Sequence, residues 1–499
     1  MTTMRTALRA LCLCLGLSAT GCASWLVADT TPLPASKLEP LGAERISHGG
    51  YRADSLPAPA DAPDLLVLVA FSGGGKRSAS FGYGALTGMR DTQVQTRNGP
   101  RPLVSLLTAM SGVSGGSFPA AYYGLYRDKA FQTFKDDFLY RDFNAYIWGI
   151  YLLPWHWAWL VQPGIGTNDY MDRIYDQTMF HGAKYSDLQR RGRPLVAIGA
   201  TDLSYGMPIL FTQETFDLIC SDLSAFPLSR AVAASNGFPG LFSPVTLTNR
   251  AKACGGREPG WVRRVTPQEL RDPLSRIGVA AVHAKRYLDA NRTEYLHLQD
   301  GGISDNLALR GAASVMRSLS ASDLRARGYT HVRRLLVLSI DGQGAQDDSI
   351  ARHKEVGGLM SVIGLVSGSQ IDNYNFETLI AVNQLVGTLG DRLRDARCAQ
   401  GKLIDGLPCG DVQAAMIHIS LRGLPDTPEN EALMAIPTGL TIPQPDVDRL
   451  VKAGHDAITG SAALQAFLAG YPPGPSTTAP STPGMRQRTP SHRLMSDAR

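Results

Sequence analysis

Short apolar runs alternate with amphipathic stretches through residues 65–340 of this chain. The runs with the length and composition of buried strands are 65–71, 103–110, 194–200, 208–212, 294–298 and 333–340. Helical character is found between them, at 78–90, 117–126 and 306–318. Strands that alternate with helices favour a parallel sheet covered by helices on both faces. The pattern therefore predicts an α/β fold with a mostly parallel central sheet.

The two ends of the chain lack this alternation. Residues 22–63 are rich in Pro, Ala and small polar residues, which is typical of a tether with a few docking residues. Residues 471–499 are rich in Pro, Ser and Thr, and we expect them to be disordered. The intervening residues 64–470 are predicted to form one folded domain.

The later part of that domain contains helical stretches at 359–389 and 446–468 and a possible strand at 413–421. Two segments, near 131–193 and 249–292, fall outside the strand–helix alternation. We interpret both as insertions.

The first 21 residues have the features of an export signal. Arg5 and Arg9 flank a short apolar region, and small residues precede Cys22. The stretch 18–22 resembles the lipobox of bacterial lipoproteins, which implies cleavage before Cys22 and lipid attachment to it. Ala23 after the cysteine implies outer-membrane sorting in a Gram-negative host. We therefore expect an exported, membrane-anchored protein of the cell envelope, with secretion without lipid as the alternative.

Composition and charge exclude one class of partner. With 44% hydrophobic and 19% charged residues, the chain of 499 residues is ordinary for a globular protein. Removal of Arg5 and Arg9 with the signal lowers the formal charge from +5 to +3. So small a charge gives no indication of a nucleic-acid partner.

Cysteine usage fits an oxidising compartment. Outside the signal and Cys22, four cysteines remain, at 220, 254, 398 and 409, and they allow three pairings. A bridge between Cys398 and Cys409 closes a short loop with Gly and Pro and is the favoured pairing. No Cys/His cluster has the spacing of a zinc site, so we expect no metal.

Two glycine-rich turns, 72–77 and 112–116, each follow a predicted strand. The second has the G-x-S-x-G form, which places Ser114 between a strand and a helix, where backbone N–H groups favour developing negative charge. An N-capping serine in a structural turn is the alternative. Acyl transfer needs preorganised N–H donors for an oxyanion, and Gly73, Gly74, Gly75 and Gly115 are the candidates.

A nucleotide-binding function does not fit the first turn. A phosphate-binding P-loop needs glycine where this chain has Ala70 and a hydroxyl where it has Arg77, and the dinucleotide pattern fails at Thr87. We expect Lys76 and Arg77 either to meet a lipid phosphate or to pair with a carboxylate in the core.

A serine nucleophile requires a base. Asp300 follows a predicted strand and precedes two glycines that let its carboxylate approach another loop. The histidine candidates are His283, His297, His331 and His353. A structural Asp-Gly turn is the alternative for Asp300.

Together these motifs resemble the patatin-like phospholipase family. The matching segments are 73–77, 112–116, 300–302 with its extension through Asn306, and 234–245. The resemblance covers about residues 65–315. It implies a three-layer sandwich with a nucleophile elbow, in which Ser114 attacks an ester, Asp300 takes its proton and glycine N–H groups hold the oxyanion.

An aromatic segment at 146–160, within the first insertion, contains four of the six tryptophans. Trp and Tyr prefer the membrane–water boundary, so this segment is either an interfacial lid or acyl-chain wall, or a buried helical hairpin.

The resulting prediction is a serine acyl hydrolase that acts on phospholipids or related lipid esters at a membrane, without a cofactor. The alternatives are a Ser-His-Asp α/β-hydrolase and a non-catalytic envelope lipoprotein that binds lipid or a partner. The sequence leaves the lipid class, the acyl acceptor and the oligomeric state open.

Overall fold

A nine-stranded sheet forms the centre of the fold. The computed structural model describes residues 27–28, 31–32, 50–56, 64–96, 99–152, 166–255, 257–345, 349–352, 354 and 359–469. The strands of the sheet are β1 (Val27–Ala28), β2 (Leu65–Phe71), β3 (Leu107–Val113), β4 (Leu195–Asp202), β5 (Met207–Leu210), β6 (Val245–Thr248), β7 (Tyr295–Asp300), β8 (Arg334–Asp341) and β9 (Gln413–Ser420).

Most of this sheet is parallel, which confirms the predicted α/β class. Its order is β1-β6-β7-β4-β3-β2-β8-β9, with β5 paired to β4. Strands β4, β3, β2, β8 and β9 run parallel to one another. Strand β7 runs antiparallel to both β6 and β4.

Helices cover both faces of the sheet, so the predicted three layers are present. The principal helices are α1 (Gly75–Asp91), α2 (Ser117–Tyr126), α3 (Phe143–Leu152), α4 (Thr167–Tyr175), α5 (Leu228–Ser235), α6 (Arg310–Ser318), α7 (Leu359–Cys398) and α8 (Gln444–Thr459). Val67, Val69 and Phe71 of β2 pack into the core cluster beneath α1 and α8, whereas Ala70 packs into the cluster beneath α6 and α7. Burial on both faces explains why β2 is apolar throughout.

Shorter elements complete the layers. Helical segments occur at Ala130–Phe134, Tyr185–Arg191, Gln213–Leu218, Gly260–Arg263, Pro267–Arg271, Arg276–Leu288, Gly302–Asp305, Ala321–Ala326, Pro428–Met434 and Ala462–Ala469. Two-residue and four-residue strands form small pairs outside the main sheet, at Thr31–Pro32 with Ser221–Asp222, Gln93–Thr96 with Gly99–Pro102, and Leu403–Ile404 with Leu407–Pro408.

Three predicted elements need correction. The strand predicted at 103–110 begins only at Leu107, because Leu103–Leu106 form a 3₁₀ turn. The helix predicted at 306–318 begins at Arg310, because the Asp305 carboxylate accepts the N–H groups that open it. The helix predicted at 446–468 is two helices, of which the first ends at Thr459.

The predicted insertions are helical where they are described. Part of the aromatic segment forms α3, in which Trp148 and Leu152 are exposed. The rest of that segment, residues 153–160, lies outside the described residues, as do the signal, Cys22 and residues 470–499. None of the described helices combines the length and the apolar character needed to cross a lipid bilayer.

Three further contacts bear on the predictions. Cys398 is bonded to Cys409, with Cα atoms 4.9 Å apart, and Cys220 is bonded to Cys254. Tyr51, within the predicted tether, is fully buried, and its hydroxyl accepts the N–H of Val196 in β4. A docking residue thus joins this segment to the central sheet.

Candidate active site

Ser114 lies at the sharp turn between β3 and α2. Its backbone φ is 47°, in the left-handed region that a residue with a side chain rarely adopts. A 3₁₀ turn, Ser114–Gly116, leads directly into α2. A strained serine between a strand and a helix is the geometry of a nucleophile elbow.

The register of three strands brings Asp300 to this serine. Val113 in β3 pairs with Gly199 in β4, and the next residue of β4, Ala200, pairs with Asp300 in β7. Ser114 Oγ donates to Asp300 Oδ2 at 2.9 Å. The other carboxylate oxygen, Oδ1, accepts the Gly302 N–H at 2.8 Å, so both oxygens have fixed partners.

Burial changes the basicity of Asp300. The side chain is almost fully enclosed, and burial raises the pKa of Asp300 to about 6, although hydrogen bonds from Gly302 and Ser114 oppose the rise. A carboxylate with this pKa is still ionised at neutral pH and is a stronger base than an exposed aspartate. The arrangement can therefore remove a proton from Ser114.

The glycine loop packs against the serine because β2 and β3 end side by side. Phe71 pairs with Gly112, and a Cβ on Gly73 would lie 3.3 Å from Ser114 Cβ. The backbones of Gly75 and Gly115 are closer still, since a Cβ on Gly115 would lie 2.0 Å from the Gly75 carbonyl oxygen. Only glycine permits this approach.

Not all the predicted oxyanion donors are free. The Gly73 N–H donates to the Asn306 carbonyl at 2.8 Å and is committed to the scaffold. Within the described residues, the N–H groups of Gly74, Gly75 and Gly115 have no hydrogen-bond partner. Gly74 has a φ of 131°, which other residues do not adopt without strain. These three groups are the available donors beside Ser114.

Lys76 and Arg77 point into the domain. The ammonium of Lys76 donates to the Arg141 carbonyl and lies 4.9 Å from the centre of the Phe143 ring. Arg77 donates to the Gly342 carbonyl at 2.9 Å and to the Ile436 carbonyl. Burial lowers the pKa of Lys76 to about 7 and that of Arg77 to about 10. These contacts favour a structural role over contact with a lipid phosphate.

The described histidines considered as bases have other neighbours. His297 Nδ1 faces Thr246 Oγ1, and His331 Nδ1 faces the Gly328 carbonyl. His283 packs against the Tyr205 ring. His353 lies outside the described residues. Among the described residues, the side chains within hydrogen-bond distance of Ser114 Oγ belong to Asp300 and Asn236.

Three contacts at the site were missed by sequence reasoning. Ser235 Oγ accepts the Ser114 N–H at 2.9 Å, which removes that N–H from the oxyanion donors. One terminal atom of the Asn236 carboxamide lies 3.4 Å from Ser114 Oγ, and the other lies 3.1 Å from the Tyr175 hydroxyl oxygen. The sequence feature that pointed to this region was the family-like segment 234–245, but it indicated no role for the side chains of Ser235 and Asn236.

The described residues contain no group of three or more His, Cys, Asp or Glu side chains arranged to hold a metal ion. The chemistry that the described arrangement supports is attack by a serine hydroxyl assisted by a carboxylate.

Comparison with known proteins gives a family match. Residues 69–313 match the model of the patatin-like phospholipase family. No curated protein sequence matches at a significant level.

Solved structures with similarity to this chain include human GIVD cytosolic phospholipase A2, with a TM-score of 0.40 and 12% sequence identity over 84% of this chain and 64% of that chain. The same human protein in complex with methyl gamma-linolenyl fluorophosphonate gives a TM-score of 0.35 at 13% identity, over 84% of this chain and 60% of that one. This chain therefore spans less than two thirds of these structures. Because such superpositions are loose, the family assignment rests on residues 69–313.

Proposed function

Since this chain belongs, through residues 69–313, to the patatin-like phospholipase family, we propose that it is a serine acyl hydrolase that cleaves ester bonds of phospholipids or related lipids. The observation that carries the proposal is the 2.9 Å hydrogen bond from Ser114 Oγ to Asp300 Oδ2. The raised pKa of Asp300, to about 6, supports its role as the base.

In the first half of the reaction, Asp300 Oδ2 takes the proton of Ser114 Oγ as Oγ forms a bond to the ester carbonyl carbon. The N–H groups of Gly74, Gly75 and Gly115 are the proposed donors to the resulting oxyanion. When the intermediate collapses, the bond from carbon to the leaving alcohol oxygen breaks. Asp300 returns the proton to that oxygen, which leaves an acyl-serine.

In the second half, water takes the place of the alcohol. Asp300 removes a proton from the water as its oxygen bonds to the acyl carbon. The bond from that carbon to Ser114 Oγ then breaks, and the proton returns to Oγ. The fatty acid leaves, and the dyad is restored without a metal or an organic cofactor.

We also propose that the protein works at the membrane of the cell envelope. The support is the sequence at its start, where an export signal precedes Cys22 in a lipobox-like context. A lipid anchor on Cys22 would hold the domain beside its substrate, because Cys22 lies shortly before β1 (Val27–Ala28), a strand of the central sheet.

A fluorophosphonate probe tests for an activated serine. We expect the wild-type protein to be labelled and Ser114→Ala to remain unlabelled. Ser111→Ala is the matched control, because Ser111 lies in β3, just before the Ser114 turn, and its hydroxyl donates to the Ala308 carbonyl instead of to Asp300. Labelling of Ser114→Ala at the wild-type level would refute the assignment of the nucleophile.

A further inference from the structure

A second polar side chain besides Asp300 lies within reach of the serine hydroxyl. One terminal atom of the Asn236 carboxamide is 3.4 Å from Ser114 Oγ, and the other is 3.1 Å from the Tyr175 hydroxyl. Asn236 is 5% exposed and Tyr175 is 1% exposed. Burial of this kind makes each unpaired polar atom costly, so the orientation that gives more of these protons an acceptor is favoured.

The proton of Ser114 restricts how the carboxamide is oriented. The hydroxyl has one proton, and it goes to Asp300 Oδ2 at 2.9 Å, which is nearer than Asn236 and carries negative charge. A carboxamide oxygen that faces Ser114 would then meet the lone pairs of Oγ with no proton between them. A carboxamide nitrogen in the same place would donate to those lone pairs.

Tyr175 leads to the same orientation. Burial raises the pKa of Tyr175, so its hydroxyl keeps its proton at neutral pH. Among the described residues, Asn236 is the hydrogen-bond partner of that hydroxyl. If Nδ2 faces Tyr175, the phenolic proton has no acceptor there, whereas Oδ1 in that position accepts it. The orientation of a carboxamide is decided by such a network, because its two ends have the same shape.

We propose that Asn236 is a third catalytic residue, whose Nδ2 donates to Ser114 Oγ, and that Tyr175 is a positioning residue that holds the carboxamide in this orientation. In this chain of hydrogen bonds, the Tyr175 hydroxyl donates to Asn236 Oδ1, Asn236 Nδ2 donates to Ser114 Oγ, and Oγ donates to Asp300.

The hydrogen bond from Asn236 stabilises Ser114 Oγ most when Oγ carries negative charge. As Asp300 removes the proton, Oγ gains electron density, and a donor at Asn236 stabilises it more than it stabilises the neutral hydroxyl. Oγ gains charge again when it leaves the acyl carbon. Both halves of the reaction are therefore accelerated, while substrate binding is unaffected.

The inference rests on the proposed hydrolase function, and its test measures kcat and KM on a short-chain chromogenic ester at about pH 8. We expect Asn236→Ala to lower kcat roughly 10- to 100-fold with little change in KM, as for loss of a hydrogen bond to a developing charge. We expect Asn236→Asp, which has nearly the same shape but only acceptors when ionised, to lose more. Tyr175→Phe should lower kcat by a smaller factor, again without changing KM.

Matched controls separate this effect from general damage to the core. Asn249→Ala removes a buried carboxamide whose nitrogen donates to the Tyr287 and Thr293 backbone carbonyls. Tyr185→Phe removes a buried hydroxyl that has no hydrogen-bond partner within the described residues. Both controls should keep the wild-type kcat per active site, counted by fluorophosphonate titration. If Asn236→Ala does not fold, the isosteric Asn236→Asp carries the test.

A wild-type kcat in Asn236→Asp would mean that position 236 needs only an acceptor and would overturn the inference. Wild-type kcat in Asn236→Ala would overturn it as well. A wild-type protein that neither hydrolyses the ester nor reacts with the probe would instead contradict the proposed function.

Discussion

At the scale of single residues, the burial of Asp300 combines an advantage for its proposed role as a base with a cost in stability. The same burial that raises its pKa to about 6 also makes its charged form unfavourable inside the protein. Its two oxygens accept hydrogen bonds from Ser114 and Gly302, which keeps the carboxylate aimed at Ser114 Oγ while it remains out of water.

The first prediction concerns pH dependence. Asp300 acts as a base only when ionised, so kcat/KM should fall as the pH drops through about 6, approaching tenfold per pH unit below it. The rate on a soluble ester should be measured between about pH 4 and pH 8, because this range spans the raised pKa. A profile that stays flat down to about pH 4.5 would mean that Asp300 has an ordinary pKa or is not the base.

The second prediction concerns stability. The folded protein holds the Asp300 proton more tightly than the unfolded chain does, because an aspartate open to water has a pKa of only about 3.9. The stability contributed by the bound proton is therefore present at low pH and is lost as the pH rises through about 6. Asp300→Asn removes the buried charge and should increase the free energy of unfolding at neutral pH by on the order of 2–3 kcal/mol.

Thermal unfolding of Asp300→Asn at about pH 8 and about pH 5 checks this prediction. The gain in Tm should be large at the higher pH and should shrink at the lower one, where wild-type Asp300 is protonated. An equal shift at both pH values would point to a cause other than ionisation.

At the scale of elements, close backbone contacts fix the helices that support the glycine loop. Helix α1 follows the loop directly and packs against α8, where a Cβ on Gly454 would lie 2.1 Å from the Phe81 carbonyl oxygen. The absence of a side chain at Gly454 lets α8 reach the backbone of α1. The position of α1, and with it the end of the loop, depends on this contact.

The third prediction compares two glycines in helices. Gly454→Ala should reduce the free energy of unfolding by roughly 1–3 kcal/mol, because the added methyl group separates α8 from α1. Gly387→Ala in α7 is the matched control, since a Cβ there meets nothing within 4 Å. That control should stabilise the protein by about 0.5–1 kcal/mol through helix propensity. Denaturant titration of both variants measures the change in the free energy of unfolding. A change in the same direction for both variants would contradict the packing argument.

The secondary-structure elements also show which features of the fold can be predicted from the sequence. Strand β2 was predicted at its exact bounds, because a strand buried on both faces is continuously apolar. The late start of β3 was missed, since the apolar 3₁₀ turn before it has the composition of a strand. Ser114 and Asp300 could be named because each lies in a short local motif with a resemblance to a family.

The contacts that were missed depend on register. Asn236 lies far from Ser114 in sequence. The two meet because the N–H groups of Asp300 and Gly301, at the end of β7, donate to the carbonyls of the residues on either side of Asn236. The residues around Lys76 in the sequence did not indicate its contacts, because its partners belong to the insertion after α2. Contacts set by the packing of distant segments leave no local pattern.

At the scale of the whole molecule, the proposed function depends on where the domain is held. The described residues contain no helix suited to crossing a bilayer, and the candidate anchor, Cys22, lies outside them. A lipid on Cys22, which stands in a lipobox-like context, is the proposed link between the domain and its substrate.

The fourth prediction tests that link. Cys22→Ser should prevent lipid attachment while leaving residues 64–470 unchanged, so the protein should move from the membrane fraction to the soluble fraction. Activity on a soluble ester should be retained. Cys398→Ser serves as a control for loss of a cysteine, because Cys398 is bonded to Cys409 and has no part in anchoring. Equal membrane association of wild type and Cys22→Ser would exclude the lipid anchor.

The most direct measurement is the release of fatty acid from phospholipid vesicles by wild type, Ser114→Ala and Asp300→Asn, beside alanine variants of His283, His297, His331 and His353. We predict that wild type and all four histidine variants release fatty acid at similar rates. Ser114→Ala and Asp300→Asn should be slower by about 1000-fold or more. Full activity in Asp300→Asn, or loss of activity on removal of one histidine, would contradict the Ser114–Asp300 dyad.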